Sequence, residues 1–238
     1  MTFGVTALNE LTTPSISTAV AQRHPASAEH GTRHRDALGL LFILAGGSHA
    51  LEHPTEDGAT HLFQSEKRLM AIDFLIRYPD YLADALLDLY ETNHHTSLLD
   101  TVDRIFANEE PSVRIISMVR WHFGAYQKIE TALSTLYAFG LVRPMKLVKD
   151  GENKRYDYYL YPKAFSFLQT AMAEVPDLEW YGDRVQLAMK VASAKSGSKL
   201  KSWQYEHEEY SNTPQGGVIP SIAGKVKARW DGLKKAQA

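Results

Sequence analysis

Apolar positions recur at helical spacing along much of the chain and alternate in strand fashion around one tight turn. After Ser65 and Glu66, which suit a helix start, Leu69, Ile72 and Ile76 fall on one face. Pro79 interrupts, and a second helix is expected from Asp80 to Glu91. It turns Leu82, Leu86 and Leu89 inward and Asp80, Asp84, Asp88 and Glu91 outward. A third, Ser97 to Ala107, faces Leu98, Val102 and Ile105 inward and stops at "NEEP". A fourth, Tyr126 to Phe139, packs Ile129, Leu133 and Leu136, with Gly140 where a helix-ending glycine belongs. Leu141 and Val142 follow directly. "MKLVK" and "RYDYYLY" then flank "DGEN", a hairpin signal with Asp-Gly at its centre, and a further helix runs from Phe165 to Glu174. Val185, Met189 and Ala192 mark another helix, and Leu200, Trp203 and Tyr205 a shorter one.

Elsewhere the pattern is weaker. Residues 1–35, rich in Ser, Thr, Ala, His and Pro, show no sustained period and read as mostly disordered. The apolar run Leu38–Ala45 reads as a buried strand or short helix, and Gly46–His61 as loop. "SVRIISMVRWHF" suits a strand or a buried helix. Past Ser211, Gly216, Gly217 and Pro220 mark a loop, and "KVKARWDGLKKAQA" closes the chain as a short basic amphipathic segment, with Val226 and Trp230 as docking positions. The expected fold class is mainly α with a small β-hairpin. Its parts are an N-terminal segment 1–35, an acidic helical region 36–110, a core at 111–178, helices at 179–210 and a basic tail at 211–238. Helix, glycine, apolar pair, hairpin and helix, in that order, make 111–178 a winged-helix domain of α+β type with helical additions on both sides.

Length and composition are those of a soluble globular protein: 238 residues, 44% hydrophobic and 23% charged, without cysteine. The missing cysteines exclude disulfides, thiol nucleophiles and cysteine zinc sites. The first residues lack a basic, then apolar, signal pattern, and the longest apolar run is shorter than the ~20 residues of a membrane span, so a cytoplasmic location without membrane contact is expected. Charge is uneven. Residues 1–110 hold 7 Lys+Arg against 16 Asp+Glu, residues 111–182 hold 9 against 7, and residues 183–238 hold 10 against 5. An acidic first half and a basic end read either as two surfaces with different partners or as chance scatter.

No residue pattern points to catalysis. Pro79–Asp80 and Glu152–Lys154 imitate a metal-dependent nuclease, yet one pair starts a helix and the other lies in a hairpin turn. "HALEH" spaces His49 and His53 for a metal, but Gly46, Gly47 and Pro54 oppose a helix there; His94 and His95 would point apart. There is no phosphate-binding GxxxxGK[ST] loop and no serine elbow. No cofactor is expected, and the chain is expected not to be an enzyme.

The recognition-helix position, Tyr126–Phe139, offers Gln127, Lys128, Glu130, Thr131, Ser134 and Thr135 outward, a poor set for reading bases. The wing is more basic: Arg143, Lys146, Lys149, Lys154 and Arg155, with Lys128, are the candidate contacts to a DNA backbone, weak and independent of sequence. Tyr158, Tyr159, Trp203 and Trp230 are the candidate anchors for a protein partner.

"MAIDFLIRYPDYLADAL", "VRWHFGAYQKIETALSTLYAFGLV" and "SGSKLKSWQYE", in that order, resemble the small middle subunit of bacterial three-component defence systems built around an SMC-like ATPase, the Lamassu type among them. The resemblance spans about residues 65–206 and excludes the long beginning and the tail after Ser211. It implies a non-catalytic winged-helix protein that bridges an SMC-like coiled-coil ATPase and an effector, often a nuclease, in anti-phage or anti-plasmid defence. Double-stranded DNA would be touched without specificity. The alternative is a dimeric winged-helix transcription regulator, which wants a recognition helix richer in Arg or Asn.

Overall fold

A computed structural model describes residues 25–110, 116–121, 124–126, 129–149, 152–193 and 197–237. The chain is mainly helical around a small four-stranded antiparallel sheet. The first element, α1, is one helix over Pro25–Gly47. Of the segment expected to lack structure, residues 1–24 lie outside the described residues and 25–35 are the opening turns of α1, with Pro25 at its first position, where no amide donor is lost. The run Leu38–Ala45 is the inner part of this helix. It shows no amphipathic period because it is covered on several sides: Leu40, Leu41, Ile43 and Leu44 are buried.

Two strands occupy the stretch read as loop. β1 (His49–Ala50) and β2 (His61–Gln64) form a ribbon, and β2 pairs with the second hairpin strand. There follow α2 (Glu66–Arg77), α3 (Pro79–Asn93) and α4 (Thr96–Ala107), close to the expected bounds, with Leu69, Ile72, Ile76, Leu82, Leu86, Leu98, Val102 and Ile105 buried. Short strands β3 (Val119–Trp121) and β4 (Gly124–Tyr126) then pair with each other. The expected fourth helix therefore starts later, as α5 (Glu130–Ala138). It ends as expected. Gly140 takes φ 65°, the Leu141 N–H reaches the Leu136 carbonyl (2.9 Å), and the Gly140 N–H reaches that of Tyr137 (2.9 Å). These are the two bonds of a glycine-terminated helix end.

The hairpin is β5 (Val142–Lys149) and β6 (Glu152–Leu160), giving the sheet order β1-β2-β6-β5. Its register slips between Leu147 and Val148. β5 is an edge strand, with Pro144 opposite Tyr158. The remainder is helical: α6 (Pro162–Glu174), a single 3-10 turn at Pro176–Leu178, α7 (Glu179–Ser193), α8 (Gly197–Glu206), α9 (Glu208–Ser211) and α10 (Ala223–Gln237). One continuous hydrophobic core takes side chains from α1 through to α10, and so from each of the expected regions between 36 and 238.

The C-terminal segment is tied back by aromatic hydroxyls. Tyr78 accepts the Met118 N–H (3.0 Å) and donates to the Ile219 carbonyl (2.9 Å), while Tyr81 donates to the Pro220 carbonyl (3.2 Å). The Tyr78, Tyr81 and Tyr210 rings pack around Phe74 at 4.7, 4.8 and 5.5 Å, and Tyr78 meets Tyr81 at 5.6 Å.

Candidate interaction surfaces

The β5–β6 hairpin, expected to be a wing, is less free to meet phosphate than its sequence implies. The Arg143 guanidinium sits 2.9 Å from the Asp57 carboxylate and 4.9 Å above the Tyr159 ring. The Thr55 and Tyr161 hydroxyls donate to that carboxylate and, together with the Arg143 charge, hold it below the usual Asp range. Arg155 donates from Nε (3.1 Å) and Nη2 (2.9 Å) to Asp157, which is buried. Both arginines thus serve carboxylates of the same molecule. Lys146 is exposed. Lys128 lies outside the described residues, and of Lys149 and Lys154 only the backbone is described.

Three of the four expected partner anchors are core residues. Tyr158 is fully buried beside Phe63, because strand alternation aims it with Leu160 at the helices. Burial, and the nearby charge of Glu66, push its phenol far above the ordinary value. Trp203 is buried and donates its indole N–H to Asp88 (2.8 Å). Trp230 is buried in a stack with Phe106, 6.0 Å between ring centres. Tyr159 is half-exposed beneath Arg143.

A different set of aromatics faces out. Tyr137 and Phe139, at the end of α5, are each 59% exposed, and Phe167 on α6 is 46% exposed. The Lys163 ammonium donates to the Phe139 carbonyl (3.0 Å), which fastens the first turn of α6 to the end of α5. Phe167 lies four residues on, along the same helix face. The described outer face of α5 carries Glu130, Thr131, Ser134 and Tyr137, with no cation among them. These aromatics escaped the sequence reading because the helical period accounts for Ile129, Leu133 and Leu136 and is silent about what lies off the inward stripe.

Part of the charge asymmetry of the sequence is met within the molecule. α10 lies along α3. Its Arg229 reaches Asp84 (2.7 Å), Asp88 (2.9 Å) and Glu91 (2.8 Å), while Lys225 meets Glu209 (2.6 Å) and Lys234 meets Asp103 (3.8 Å). The acidic face of α3 is therefore partly covered by the chain's own basic end. Asp80 is buried rather than exposed. It accepts from the Ser221 hydroxyl (2.6 Å) and the N–H groups of Ile222 (2.7 Å) and Tyr81 (3.0 Å), so it fixes the start of α10 to the start of α3. Its counterpart in the nuclease-like pattern, Glu152–Lys154, is at the start of β6. No His/Asp/Glu cluster that could hold a metal ion occurs among the described residues.

His207 completes the α3 junction. Nδ1 lies 3.1 Å from the Trp203 carbonyl and Nε2 lies 3.0 Å from an Asp84 carboxylate oxygen. Both partners are acceptors, so the protonated ring, with a donor on each nitrogen, is the form that satisfies both contacts. Burial opposes this charge, but the bond to Asp84, the charge of that carboxylate, the Trp203 carbonyl and the charge of Asp88 together raise the pKa above its ordinary 6.5. A raised value stabilises the fold fully below about pH 6.5, and that contribution fades as pH climbs through the folded-state pKa. Urea unfolding of wild type and His207→Gln between about pH 5.5 and pH 9 checks this. The wild-type advantage is expected to be largest at the acid end and to shrink as pH rises; a constant difference would mean that the ring is neutral.

Among the described residues no helix is long and apolar enough to cross a membrane. No family model, no curated protein and no solved structure matches this chain.

Proposed function

We propose that this chain is a non-catalytic winged-helix subunit that bridges an SMC-like coiled-coil ATPase and an effector in an anti-phage or anti-plasmid defence complex, touching double-stranded DNA without sequence preference. The winged-helix part is supported by element order. α1, β2 and α2 supply a first helix, a first strand and a second helix. After α3, α4, β3 and β4, α5, β5 and β6 supply the third helix and the wing, and β2 pairs beside β6. On this reading the domain draws its first half from residues 25–77 and not from 111–178 alone.

The observation that carries the bridging role is the surface of α5 and α6. A helix that reads a DNA groove needs cations or amides on its outer face. Here that face has Glu130, Thr131, Ser134 and Tyr137, with Phe139 exposed just past its end and Phe167 exposed on α6. Aromatic side chains held on rigid helices are the usual anchors of protein interfaces. This favours a protein clamp over the transcription-regulator alternative.

The test is capture of a co-expressed SMC-like ATPase by the tagged chain. Tyr137→Ala/Phe139→Ala is expected to keep the wild-type circular dichroism spectrum and to weaken capture at least thirtyfold, as a hot-spot loss of about 2 kcal/mol implies. Full capture by this folded variant would remove the α5 end from the interface, and no capture by wild type would end the bridging reading.

A further inference from the structure

α10 lies on α3 and α4 as a helix in a groove. Its apolar stripe is Val226, Trp230 and Leu233, the i, i+4, i+7 spacing by which an amphipathic helix anchors in a cleft. Trp230 stacks on Phe106 of α4, and the Lys234 ammonium stands 4.4 Å from the centre of its ring. The groove around this stripe is acidic. Asp84, Asp88 and Glu91 of α3 share the one guanidinium of Arg229, Glu209 of α9 takes Lys225, and Asp103 of α4 takes Lys234. His207 meets the second oxygen of Asp84, the Trp203 N–H reaches Asp88, and the charge of Glu208 acts on Lys225. On α4, Asp100 is exposed and Arg104 donates to the Thr101 hydroxyl (3.2 Å).

Three features loosen α10 in this place. Gly224 and Gly232 stand where an added Cβ would meet nothing within 4 Å, so packing does not call for glycine, and each weakens the helix it sits in. The Trp230 indole N–H is buried and has no hydrogen-bond partner among the described residues, which costs the docked state. The flanking ion pairs are exposed at the cation, 65% at Lys225 and 53% at Lys234, where such pairs contribute little. The chain before α10 is held separately. The Gly216 N–H donates to the Arg120 carbonyl (2.7 Å) and the Ile219 N–H to the Met118 carbonyl (3.1 Å), beside the Tyr78 and Tyr81 bonds to residues 219 and 220. α10 can therefore lift beyond Ile222 while residues 216–222 keep their bonds.

We infer that the α3–α4 groove is a docking site for an amphipathic helix of a partner protein, one that carries an aromatic ring and cations at α10's spacing, and that α10 is the strap that fills the groove until such a helix takes its place. The ring is set by the Phe106 stack, and the sign of charge by the carboxylates, which outnumber the three cations that α10 brings to them. The groove lies on other elements than the α5–α6 surface, and the inference does not rest on the ATPase reading.

Fluorescence anisotropy of a labelled peptide of residues 221–238, added to the full chain, tests it. The tethered α10 competes with the peptide at a high effective concentration, so wild type is expected to bind it weakly. Trp230→Ala, whose own strap has lost its anchor, is expected to bind it about tenfold more tightly or better. Gly224→Ala/Gly232→Ala strengthens the strap in place and is expected to bind about fivefold less tightly than wild type. Reversing the exposed rim acids of the Trp230→Ala chain, with Glu91→Lys/Asp103→Lys, is expected to weaken the peptide about tenfold. Equal binding by wild type, Trp230→Ala and the glycine variant would put the peptide elsewhere and overturn the groove. So would a Trp230→Ala chain that keeps the wild-type circular dichroism spectrum and binds no peptide. If that variant unfolds, wild type against the glycine variant decides, and no difference between them overturns the strap. Binding that charge reversal leaves unchanged would overturn a basic helix as the partner.

Discussion

Trp203→Ala is expected to destabilise the fold by about 4 kcal/mol, the scale on which deletion of a buried indole acts. The ring is 5% exposed, packs edge-on against His207 at 4.6 Å, and donates its N–H to Asp88. Truncation leaves a cavity between α8 and α3 and strips Asp88 of a donor in a region already crowded with carboxylates. Urea unfolding should show a much lower midpoint with little change of slope. Tyr137→Ala, at an exposed site, should move the midpoint by no more than about 0.5 kcal/mol equivalent. The pair separates fold from function. Any loss of partner capture in the Trp203 variant is a loss of structure, whereas a loss in the Tyr137 variant is a loss of contact. A Trp203 variant as stable as wild type would show that the indole is not part of the core.

Asp80→Ala is expected to cost about 3 kcal/mol, since it leaves the Ser221 hydroxyl and the Ile222 and Tyr81 N–H groups without their acceptor in a buried place. The effect should not be uniform. Asp80 is where α10 is fixed to α3, so backbone amides of residues 223–237 should exchange with solvent faster than those of α1 or α2. Asp80→Asn is not a mild replacement: its amide group would turn a donor toward groups that themselves donate. Unaltered exchange across α10 in the Ala variant would show that Arg229, Val226 and Trp230 hold the helix without the cap.

Both residues show how far the sequence could be read. α3, α4 and the hairpin were legible because each carries its own local signal: a single apolar stripe, or an Asp-Gly between alternating runs. α1 was not, since a helix buried on several sides has no stripe to detect. β1 and β2 were hidden among Gly, Pro and charges because they are short and depend on β6, nearly a hundred residues later, for pairing. The site suffered most from the same blindness to distance. Asp80 looked like one more outward acid of α3, and the closing basic segment gave no sign that Arg229 would meet Asp88, until separations of 141 residues, from Asp80 to Ser221 and from Arg229 to Asp88, were closed by folding. Sequence also ranks tyrosines and tryptophans as anchors without saying which are enclosed. Tyr158 and Trp203 are; Tyr137 and Phe139 are not.

The edge of the sheet has a bearing on how this protein behaves in concentrated solution. The Tyr161 N–H donates to the Leu141 carbonyl (3.1 Å), which sets the parity of the hairpin: Leu141 and its every-second neighbours bond to β6, while Val142, Pro144 and Lys146 turn their backbone groups away from it. An outward-facing row of that kind invites another strand to add, copy upon copy. In this row the central member is a proline, which has no hydrogen to give, and the next is a lysine, whose charge repels its own image. The β5 edge can therefore stay without a strand on its outer side and not become a seed for stacking.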